Sequence, residues 1–361
     1  MLGTGSGTGS EQPRGMQLRR WTISDLAREA NVSKTTVSRV LNGRPDVDAE
    51  TSARLLALID DVGYVRSARA VQLAEGRANV IGLLAPFDTS PWMIEVLRGA
   101  MEKVQATHFS LVLHAFPNSP AELARFADQL HNGSMDALMV VSLQQRLDPV
   151  IKAAADGLPI VMLNDYGFNG GLTDIIPDEA VGIAEAVEHL VAVGRRRFAI
   201  IAGTPDYPVS RTRLDAYRQA LGAYGLKLDK QLVVEAPFTA PTARLAAQAL
   251  LDRGIAFDAL FASSDAMAVG AMRALKQRGL GVPGDVSVVG FDDFSSAEFT
   301  EPRLTTVHNP LYEMSATAMT RLLDAVIASK PIGRSEEVLR THLIVRDSSD
   351  PSKHDGAGSA A

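Results

Sequence analysis

The feature that most restricts the fold is an alternation of β-branched apolar runs and amphipathic helical stretches, which begins near residue 79 and continues to about residue 345. Runs that are apolar on both faces predict parallel strands covered by helices. A pattern of this length predicts two doubly wound lobes, with the boundary between residue 163 and a helix over 181–193. The predicted strands are Val80–Leu84, Leu111–Ala115, Ala137–Val141, Ile160–Leu163, Phe198–Ala202, Leu232–Val234, Ala259–Ala262 and Val286–Gly290.

Three short helical segments precede this core within residues 21–64, and the gaps between them are too short to hold strands. Thr22, Ser33 and Asp48 stand where the N-cap residues of these helices are expected. The first two helices are joined by a tight turn at Asn31, and asparagine tolerates the positive φ that such a turn needs. This spacing predicts a helix-turn-helix, whose second helix enters the major groove of DNA.

Short polar and basic side chains of the second helix are suited to that groove. A recognition helix presents its amino-terminal residues to the bases, so Lys34 and Thr35 are predicted to contact base edges and the others mostly phosphates. The headpiece residues predicted to bind DNA are Thr22, Ser33, Lys34, Thr35, Thr36, Ser38, Arg39 and Asn42. From these residues alone, the alternative is a small helical packing domain with solvated polar faces.

Charge and composition separate the two parts of the chain. Residues 1–78 hold 11 Lys/Arg against 9 Asp/Glu, and because the whole chain carries −6, the remainder carries −8. Only residues 1–78 are therefore suited to binding the phosphates of DNA.

The chain has no cysteine, no signal-like apolar segment in residues 1–20 and no apolar run long enough to cross a bilayer. These features predict a cytoplasmic protein without membrane contact. Residues 1–20 and 348–361 are predicted to be disordered tails.

Residues 65–78 connect the two parts. They are too apolar for a plain linker and too short for a stable isolated helix, so we expect a hinge helix that folds on DNA. With this segment, the sequence resembles the lactose/galactose-repressor family over Trp21–Asp347. The motifs that carry the resemblance are Val32–Asn42, Val80–Leu84, Val286–Asp293 and Leu304–Thr306.

The resemblance implies a small all-α helix-turn-helix headpiece joined to an α/β two-lobed, periplasmic-binding-protein-like core over residues 79–347. It also implies a homodimer on near-palindromic double-stranded operator DNA. Paired hinge helices would enter the minor groove, where Leu73 wedges the central base step and Arg69 also contacts DNA. Two departures are Asn31 in place of the commoner turn glycine, and Ala74 where some relatives have a base-contacting lysine.

A ligand crevice at the carboxyl ends of the strands is a further implication of the resemblance. The residues predicted to bind the effector are Asp88, Trp92, Met93, Asn164, Arg213, Phe238, Ser264, Asp265, Asp292 and Asn309. Relatives usually have aspartate at Asn164 and often have asparagine at Ser264. Some of these residues have structural alternatives: core or interlobe packing for Trp92, a helix cap for Asp88, a helix cap or lobe salt bridge for Asp292, and a helix-surface salt bridge for Arg213.

The polar groups of this set, placed around an aromatic ring, suit a neutral polyol such as a sugar, with a purine or another corepressor as the alternative. We expect the ligand to release the protein from DNA, although the residues themselves do not determine whether the ligand lowers or raises the affinity for the operator. A solute-binding transport protein would share the core, but it would need an export signal and no helix-turn-helix.

Enzymatic function is not expected. The sequence contains no HExxH, P-loop or nucleophile-elbow motif, and its histidines form no i, i+4 pair for a metal. A nicotinamide-linked dehydrogenase would share the α/β alternation, but it would need a glycine-rich loop at the first core strand, where the sequence has only Gly82. Neither a cofactor nor a metal is therefore predicted.

Overall fold

The computed structural model describes residues 21–41, 43–64, 77–86, 91–116, 119–141, 146–166 and 170–350. The chain divides into two compact units, Met1–Gly76 and Arg77–Ala361, and the division falls inside the predicted hinge. Several predicted features lie outside the described residues: residues 1–20, Asn42, the hinge through residue 76 with Arg69 and Leu73, Asp88, and residues 351–361.

Three helices form the described part of the first unit: α1 (Ile23–Glu29), α2 (Lys34–Leu41) and α3 (Ala49–Asp61). All three predicted caps are confirmed. The side chains of Thr22 and Asp48 accept backbone N–H bonds at the starts of α1 and α3, and Ser33 Oγ accepts the N–H of Thr36 at 3.0 Å. These bonds satisfy donors that a helix leaves unpaired at its amino terminus.

The headpiece helices pack on a small apolar core that includes the fully buried Leu26, Val37 and Leu55, one from each helix. Asn31 has a φ of 52°, which confirms the left-handed turn residue predicted between α1 and α2. Arg54 of α3 donates a hydrogen bond of 3.1 Å to the carbonyl oxygen of Ala30 beside this turn. Helix α3 therefore helps to hold this turn in place.

The second unit alternates strands and helices as predicted. In chain order the elements are β1 (Val80–Ala85), α4 (Pro91–Gln105), β2 (Ser110–Ala115), α5 (Pro120–His131), β3 (Ala137–Val141), α6 (Asp148–Ala155), β4 (Ile160–Leu163), β5 (Thr173–Asp178), α7 (Glu179–Ala192), β6 (Phe198–Ala202), α8 (Pro208–Ala223), β7 (Val233–Glu235), α9 (Ala240–Asp252), β8 (Ala259–Ala262), α10 (Asp265–Gln277), β9 (Ser287–Asp292), β10 (Thr305–His308), α11 (Leu311–Ile327), β11 (Glu336–Arg340) and β12 (His342–Ile344).

The strands form two six-stranded sheets, one in each lobe. The first lobe has the order β11-β5-β4-β3-β1-β2, in which every neighbouring pair is parallel. The second has the order β12-β10-β9-β8-β6-β7, in which only the β10–β12 pair is antiparallel. Strands β1, β3, β4, β6, β8 and β9 are almost wholly buried, as expected for sheets covered by helices on both faces.

The chain passes between the lobes three times: from β5 into α7, from β10 into α11, and from β11 into β12 through the single residue Thr341. Thr341 is fully buried and links two of these crossings, because its Oγ1 donates to the carbonyl oxygen of Asp178 and accepts the N–H of Gly182 at 2.9 Å. A Cβ on Gly182 would lie 2.4 Å from Val307 Cγ1 and 2.6 Å from Thr341 Oγ1. The crossings therefore pack too closely for a larger residue.

The sequence-based boundary of the carboxyl-terminal tail was wrong. Ser348 and Ser349 were assigned to the tail, but both are fully buried in the second lobe. The carbonyl oxygen of Ser348 accepts the N–H of Val288 at 2.8 Å, and Ser348 Oγ accepts the N–H of Thr305 at 2.9 Å. The serine, proline, glycine and alanine residues beyond Val345 predicted disorder here, whereas polar atoms of Ser348 accept backbone N–H groups of Val288 and Thr305, in strands β9 and β10.

Candidate functional site

The recognition surface of the headpiece is the exposed face of α2. Lys34 and Thr35 are exposed at its amino terminus, and Arg39 is 52% exposed one turn further along. Val37 and Val40 on the opposite face are buried in the headpiece core. Helix α2 thus has a buried face and a polar face, and the polar face has the basic and hydroxyl groups that DNA contacts require.

Other predicted DNA-binding residues serve partly to hold the helices. Thr22 forms a capping box with Asp25, and Ser33 Oγ lies 2.9 Å from Thr36 Oγ1 as well as capping α2. Thr36 and Ser38 are half-buried. These side chains position α2, and their contacts with DNA stay predictions.

A second candidate site lies between the two lobes, where the carboxyl ends of the strands converge. Asn164 follows β4 in the first lobe, and Glu179 follows β5 at the start of α7. From the second lobe, Ser263 follows β8, Asp292 ends β9 and Asn309 follows β10. The topology therefore brings polar residues from both lobes to one crevice, as expected for open parallel sheets.

Arg213 of α8 is the central cation of this crevice, with a side chain only 7% exposed. Its Nε and Nη2 each lie 2.8 Å from Glu179 Oε1, and Nη1 donates to the carbonyl oxygen of Ser263 at 2.6 Å. Its guanidinium lies 3.7 Å from the centre of the Phe291 ring. The alternative of a helix-surface salt bridge is therefore wrong, because the arginine is buried and points into the crevice.

Asp292 lies beside this arginine, with Oδ1 3.8 Å from Arg213 Nη2 and 3.2 Å from Asn309 Nδ2, which donates to it. Burial raises the pKa of Asp292 to about 6, against the opposing effects of Arg213 and Asn309. The residue also has a φ of 110°, a conformation that costs a non-glycine residue about 1–3 kcal/mol. A strained, buried carboxylate of this kind is typical of a functional site.

Unpaired polar atoms are concentrated in the crevice. Among the described residues, seven buried side-chain oxygen atoms have no hydrogen-bond partner in the protein, and six of them belong to residues at the carboxyl ends of strands or on the helices that follow. These six are Asn164 Oδ1, Tyr166 OH, Glu179 Oε2, Ser210 Oγ, Ser263 Oγ and Asn309 Oδ1. Since buried polar groups are nearly always paired, such a cluster indicates a place where a ligand supplies the partners.

Tyr166 connects the first lobe to the charges of the second. Burial raises the pKa of its phenol, and Glu179, Arg213 and Asp292 all act on it electrostatically, so its ring lies close to the central ion pair. Asp174 of β5 lies in the same region; burial and the neighbouring Asp165 raise its pKa to about 7. The first lobe therefore contributes a neutral phenol and a readily protonated acid.

Phe238 forms an apolar wall of the crevice in the second lobe. A Cβ on Gly203 would lie 2.2 Å from the Phe238 ring and 2.3 Å from Ser210 Oγ, so the glycine after β6 allows both to approach. Tyr207 meets Phe238 edge-on, with ring centroids 5.9 Å apart. A flat or apolar ligand face could pack on this ring.

Four of the predicted effector residues have structural contacts. Met93 is buried in the apolar core of the first lobe, and Trp92 packs on that core while half-buried. Ser264 caps α10, and Asp265 accepts bonds from the Thr306 hydroxyl and the Phe294 N–H. We therefore centre the candidate effector site on Asn164, Arg213, Phe238, Asp292 and Asn309.

Sequence reasoning missed Glu179, Tyr166, Ser210 and Ser263. Glu179 and Ser263 directly follow strands, which is a usable signal, but β5 was not predicted because Pro177 and two aspartates interrupt it. Ser210 lies on α8 one turn before Arg213, so helical spacing was also a usable signal, whereas Tyr166 lies on a loop of the first lobe and reaches Arg213 only through the packing of the two lobes. Within the described residues, no helix is both long enough and apolar enough to cross a membrane.

Comparison with known proteins identifies both units. The family model described as bacterial regulatory proteins, lacI family, matches residues 22–67, and the model of the periplasmic binding protein-like domain matches residues 187–349. The uncharacterized HTH-type transcriptional regulator in the aml 5′ region of Streptomyces limosus is 34% identical over 334 residues, which cover 90% of this chain and 93% of that protein.

Two solved structures extend the comparison. The complex of the transcriptional regulator CelR with cellobiose has a TM-score of 0.68 and 32% identity, and covers 91% of this chain and 100% of CelR. The Lac repressor dimer bound to operator and the anti-inducer ONPF has a TM-score of 0.81 and 25% identity, and covers 92% of this chain and 99% of the repressor chain. The chain described here belongs to the lacI family of bacterial regulatory proteins and is a DNA-binding transcriptional regulator.

Proposed function

We propose that this regulator is a repressor whose affinity for operator DNA is controlled by a neutral, hydroxyl-rich molecule such as a sugar, bound in the crevice. The observation that carries the proposal is the set of six unpaired buried polar atoms that follow the strands, three of which belong to Glu179, Ser263 and Asn309, the residues that contact Arg213 or Asp292. Each such atom costs about 1–3 kcal/mol when it has no partner. Sugar hydroxyls both donate and accept hydrogen bonds, so one ligand can pair with several of these atoms.

The walls of the crevice also favour a saccharide. Phe238 offers an aromatic face next to the Ser210 hydroxyl, and Asp292 and Asn309 offer polar atoms nearby. Sugars combine an apolar ring face with a hydroxyl rim, and such a wall matches both. The CelR structure was solved with cellobiose, which supports the same ligand class for this chain.

We assign the working state as a homodimer on a near-palindromic operator. Ile94 and Met101 are exposed on one face of α4, Leu113 is exposed on the edge strand β2, and Phe299 is 85% exposed in the second lobe. Large apolar groups exposed on both lobes are suited to contact with a second subunit. The operator-bound Lac repressor structure is a dimer, which supports this assignment. We place this activity in the cytoplasm and assign it no catalytic step.

Control of DNA binding would follow from lobe closure. A ligand that bridges Tyr166 of the first lobe and Arg213 of the second stabilises the closed arrangement, and in the dimer this would change the spacing of the two hinge segments. Operator affinity can change only by as much as the ligand prefers one arrangement over the other. We assign release of DNA on ligand binding. In corepression, the alternative, ligand binding would raise the affinity for the operator instead of lowering it.

The test is a thermal-shift screen of the full chain with sugars, sugar phosphates and purines, followed by titration of each hit into the operator complex. A ligand at a hundred times its Kd stabilises the folded state by about 2.7 kcal/mol. Asp292→Ala should lose this stabilisation and retain operator affinity. A purine hit would replace the sugar assignment, and a hit that the Asp292 variant still binds would contradict the crevice as its site.

A further inference from the structure

Glu179 has an unusual position among the carboxylates of the second unit. It is the first residue of the 14-residue helix α7, and it is only 3% exposed. One oxygen, Oε1, binds the Nε and Nη2 atoms of Arg213 at 2.8 Å, whereas the other, Oε2, is buried and has no partner in the protein. One oxygen of this carboxylate thus binds the arginine, and the other can accept a hydrogen bond from a ligand.

Without Glu179, the same place would attract anions. The amino terminus of α7 receives no side-chain cap from its N-cap residue Asp178 and has the positive end of the helix dipole, and Arg213 adds a buried guanidinium. Helix amino termini and arginine forks are the usual partners of phosphate and carboxylate ligands. In this chain the anion that pairs with Arg213 is the side chain of the first residue of this helix, Glu179.

The charges in the crevice also indicate that Glu179 takes the place of an anionic ligand. Arg213 faces two carboxylates, Glu179 and Asp292, and Asp174 adds a further acid from the first lobe. The unpaired atoms are three carbonyl or carboxylate oxygens, which can only accept, and three hydroxyls, which can do both. The site therefore needs hydrogen-bond donors from its ligand and would repel a second anion.

We propose that Glu179 determines effector charge: it neutralises Arg213, excludes phosphorylated and other anionic effectors, and receives a ligand hydroxyl or amine on Oε2. This inference rests on the proposed function in treating the crevice as the effector site. It narrows the ligand class from saccharides in general to saccharides without phosphate.

The experiment uses inorganic phosphate as the anionic probe, so that it does not depend on identifying the effector. Phosphate is titrated by calorimetry into the full-length wild type, Glu179→Gln and the matched control Glu188→Gln, at about pH 8, where phosphate is mostly dianionic. Glu188 is an exposed carboxylate on the same helix, so its variant makes the same change in net charge outside the crevice. We expect saturable phosphate binding by Glu179→Gln, and no saturable binding by the other two proteins at phosphate concentrations up to about ten times the Kd of that variant.

Saturable binding of phosphate to the wild type, lost in Arg213→Gln, would overturn the proposal, and this measurement does not require the Glu179 variant to fold. Equal, absent binding in wild type and folded Glu179→Gln would also overturn it, since Glu179 would then not be what excludes the anion. Glu179→Asp, which keeps the charge, should behave as wild type does; phosphate binding by this variant would contradict exclusion by charge. Failure of every neutral sugar in the thermal-shift screen would contradict the proposed function and leave this phosphate result unchanged.

Discussion

In the headpiece, the charged side chains assigned to DNA lie in solvent, whereas in the crevice those assigned to the effector are buried before any ligand arrives. Arg39 is 52% exposed and pairs with Asp46 at 3.3 Å; Arg213 is 7% exposed and is held by Glu179 and by the carbonyl oxygen of Ser263. An exposed cation keeps its hydration until it meets a phosphate, so its contribution depends on salt. A buried cation has already lost its water, and the fold bears that cost.

The comparison teaches that the same kind of substitution has different consequences in the two regions. Removing an exposed cation should change DNA binding and leave stability unchanged. Removing a buried one should change stability as well as ligand binding, because its partners stay behind without a counter-charge.

The largest expected effect is that of Arg213→Ala. The variant leaves Glu179 and Asp292 as buried carboxylates without their cation, and we expect it to lower the free energy of unfolding by about 3–5 kcal/mol. Arg218→Ala is the matched control on the same helix, because Arg218 is 49% exposed and pairs at 3.0 Å with Asp215, which is itself exposed. Its effect should stay below about 0.5 kcal/mol. Urea unfolding measures the free energy of unfolding of both variants. Equal losses in the two variants would contradict the difference expected between a buried and an exposed arginine.

The next effect concerns pH and Asp292. Its folded pKa of about 6 lies above the ordinary value of 3.8, so the folded protein retains a proton that the unfolded chain releases. Stability from this group therefore falls as pH rises from about 4 to about 6, by up to about 3 kcal/mol. Asp292→Asn lacks this dependence. The stability of the variant minus that of the wild type should rise across this window and level off above about pH 7.

A flat difference between pH 4 and 7 would contradict a buried acid at this position. The Asp48→Asn variant provides a control, since Asp48 caps α3 in the headpiece and its Thr51 hydrogen bonds lower its pKa. A lowered pKa reverses the sign, so the contribution of Asp48 should be lost as pH falls. The contributions of Asp292 and Asp48 to the free energy of unfolding therefore change in opposite directions with pH.

A smaller effect is expected for Lys34→Ala in the headpiece. If Lys34 contacts a base edge, the variant should lose about 1–3 kcal/mol of operator binding and discriminate less well at one base pair. Thermal stability should not change, because the side chain is exposed. Fluorescence anisotropy with operator and single-substituted operators measures this loss. An equal loss on every sequence would indicate a phosphate contact instead.

The smallest effect is expected for Arg39→Ala. A phosphate contact contributes equally to all DNA sequences, so affinity should fall on operator and on nonspecific DNA alike. The slope of log affinity against log salt should become shallower by about 1. An unchanged slope would show that Arg39 does not meet a phosphate, and would leave its ion pair with Asp46 as its role.

Local patterns predicted much of the fold. Buried strands such as β3 and β4 were placed to the residue because their apolar runs are uninterrupted. Four strands, β5, β10, β11 and β12, were not predicted. Among them, β5 contains Pro177, and β11 is an alternating, partly charged strand over Glu336–Arg340. Both are recognisable only from the neighbouring strands that pair with them.

In the candidate effector site, too, some features were predictable from local sequence and others depend on distant contacts. Asp292 and Asn309 were predicted because motifs carry them, and Arg213 because it matches a family position. The role of Arg213 in holding Glu179 could not be predicted, because the two residues are 34 positions apart and meet only when α7 packs on α8. Asp265 was predicted as a ligand contact from its position, but the Thr306 hydroxyl, from another strand, already pairs with it.

Strands β11 and β12 are separated by Thr341 alone, yet they complete the sheets of different lobes. During synthesis, domains generally fold as units once their residues have left the ribosome, the amino-terminal one first. Here the first lobe still lacks a strand and helix α11 when the second lobe is nearly finished. Both sheets are therefore completed only when residues 336–344 have been synthesised, and a ribosome that stops before residue 336 releases two incomplete lobes rather than one finished domain.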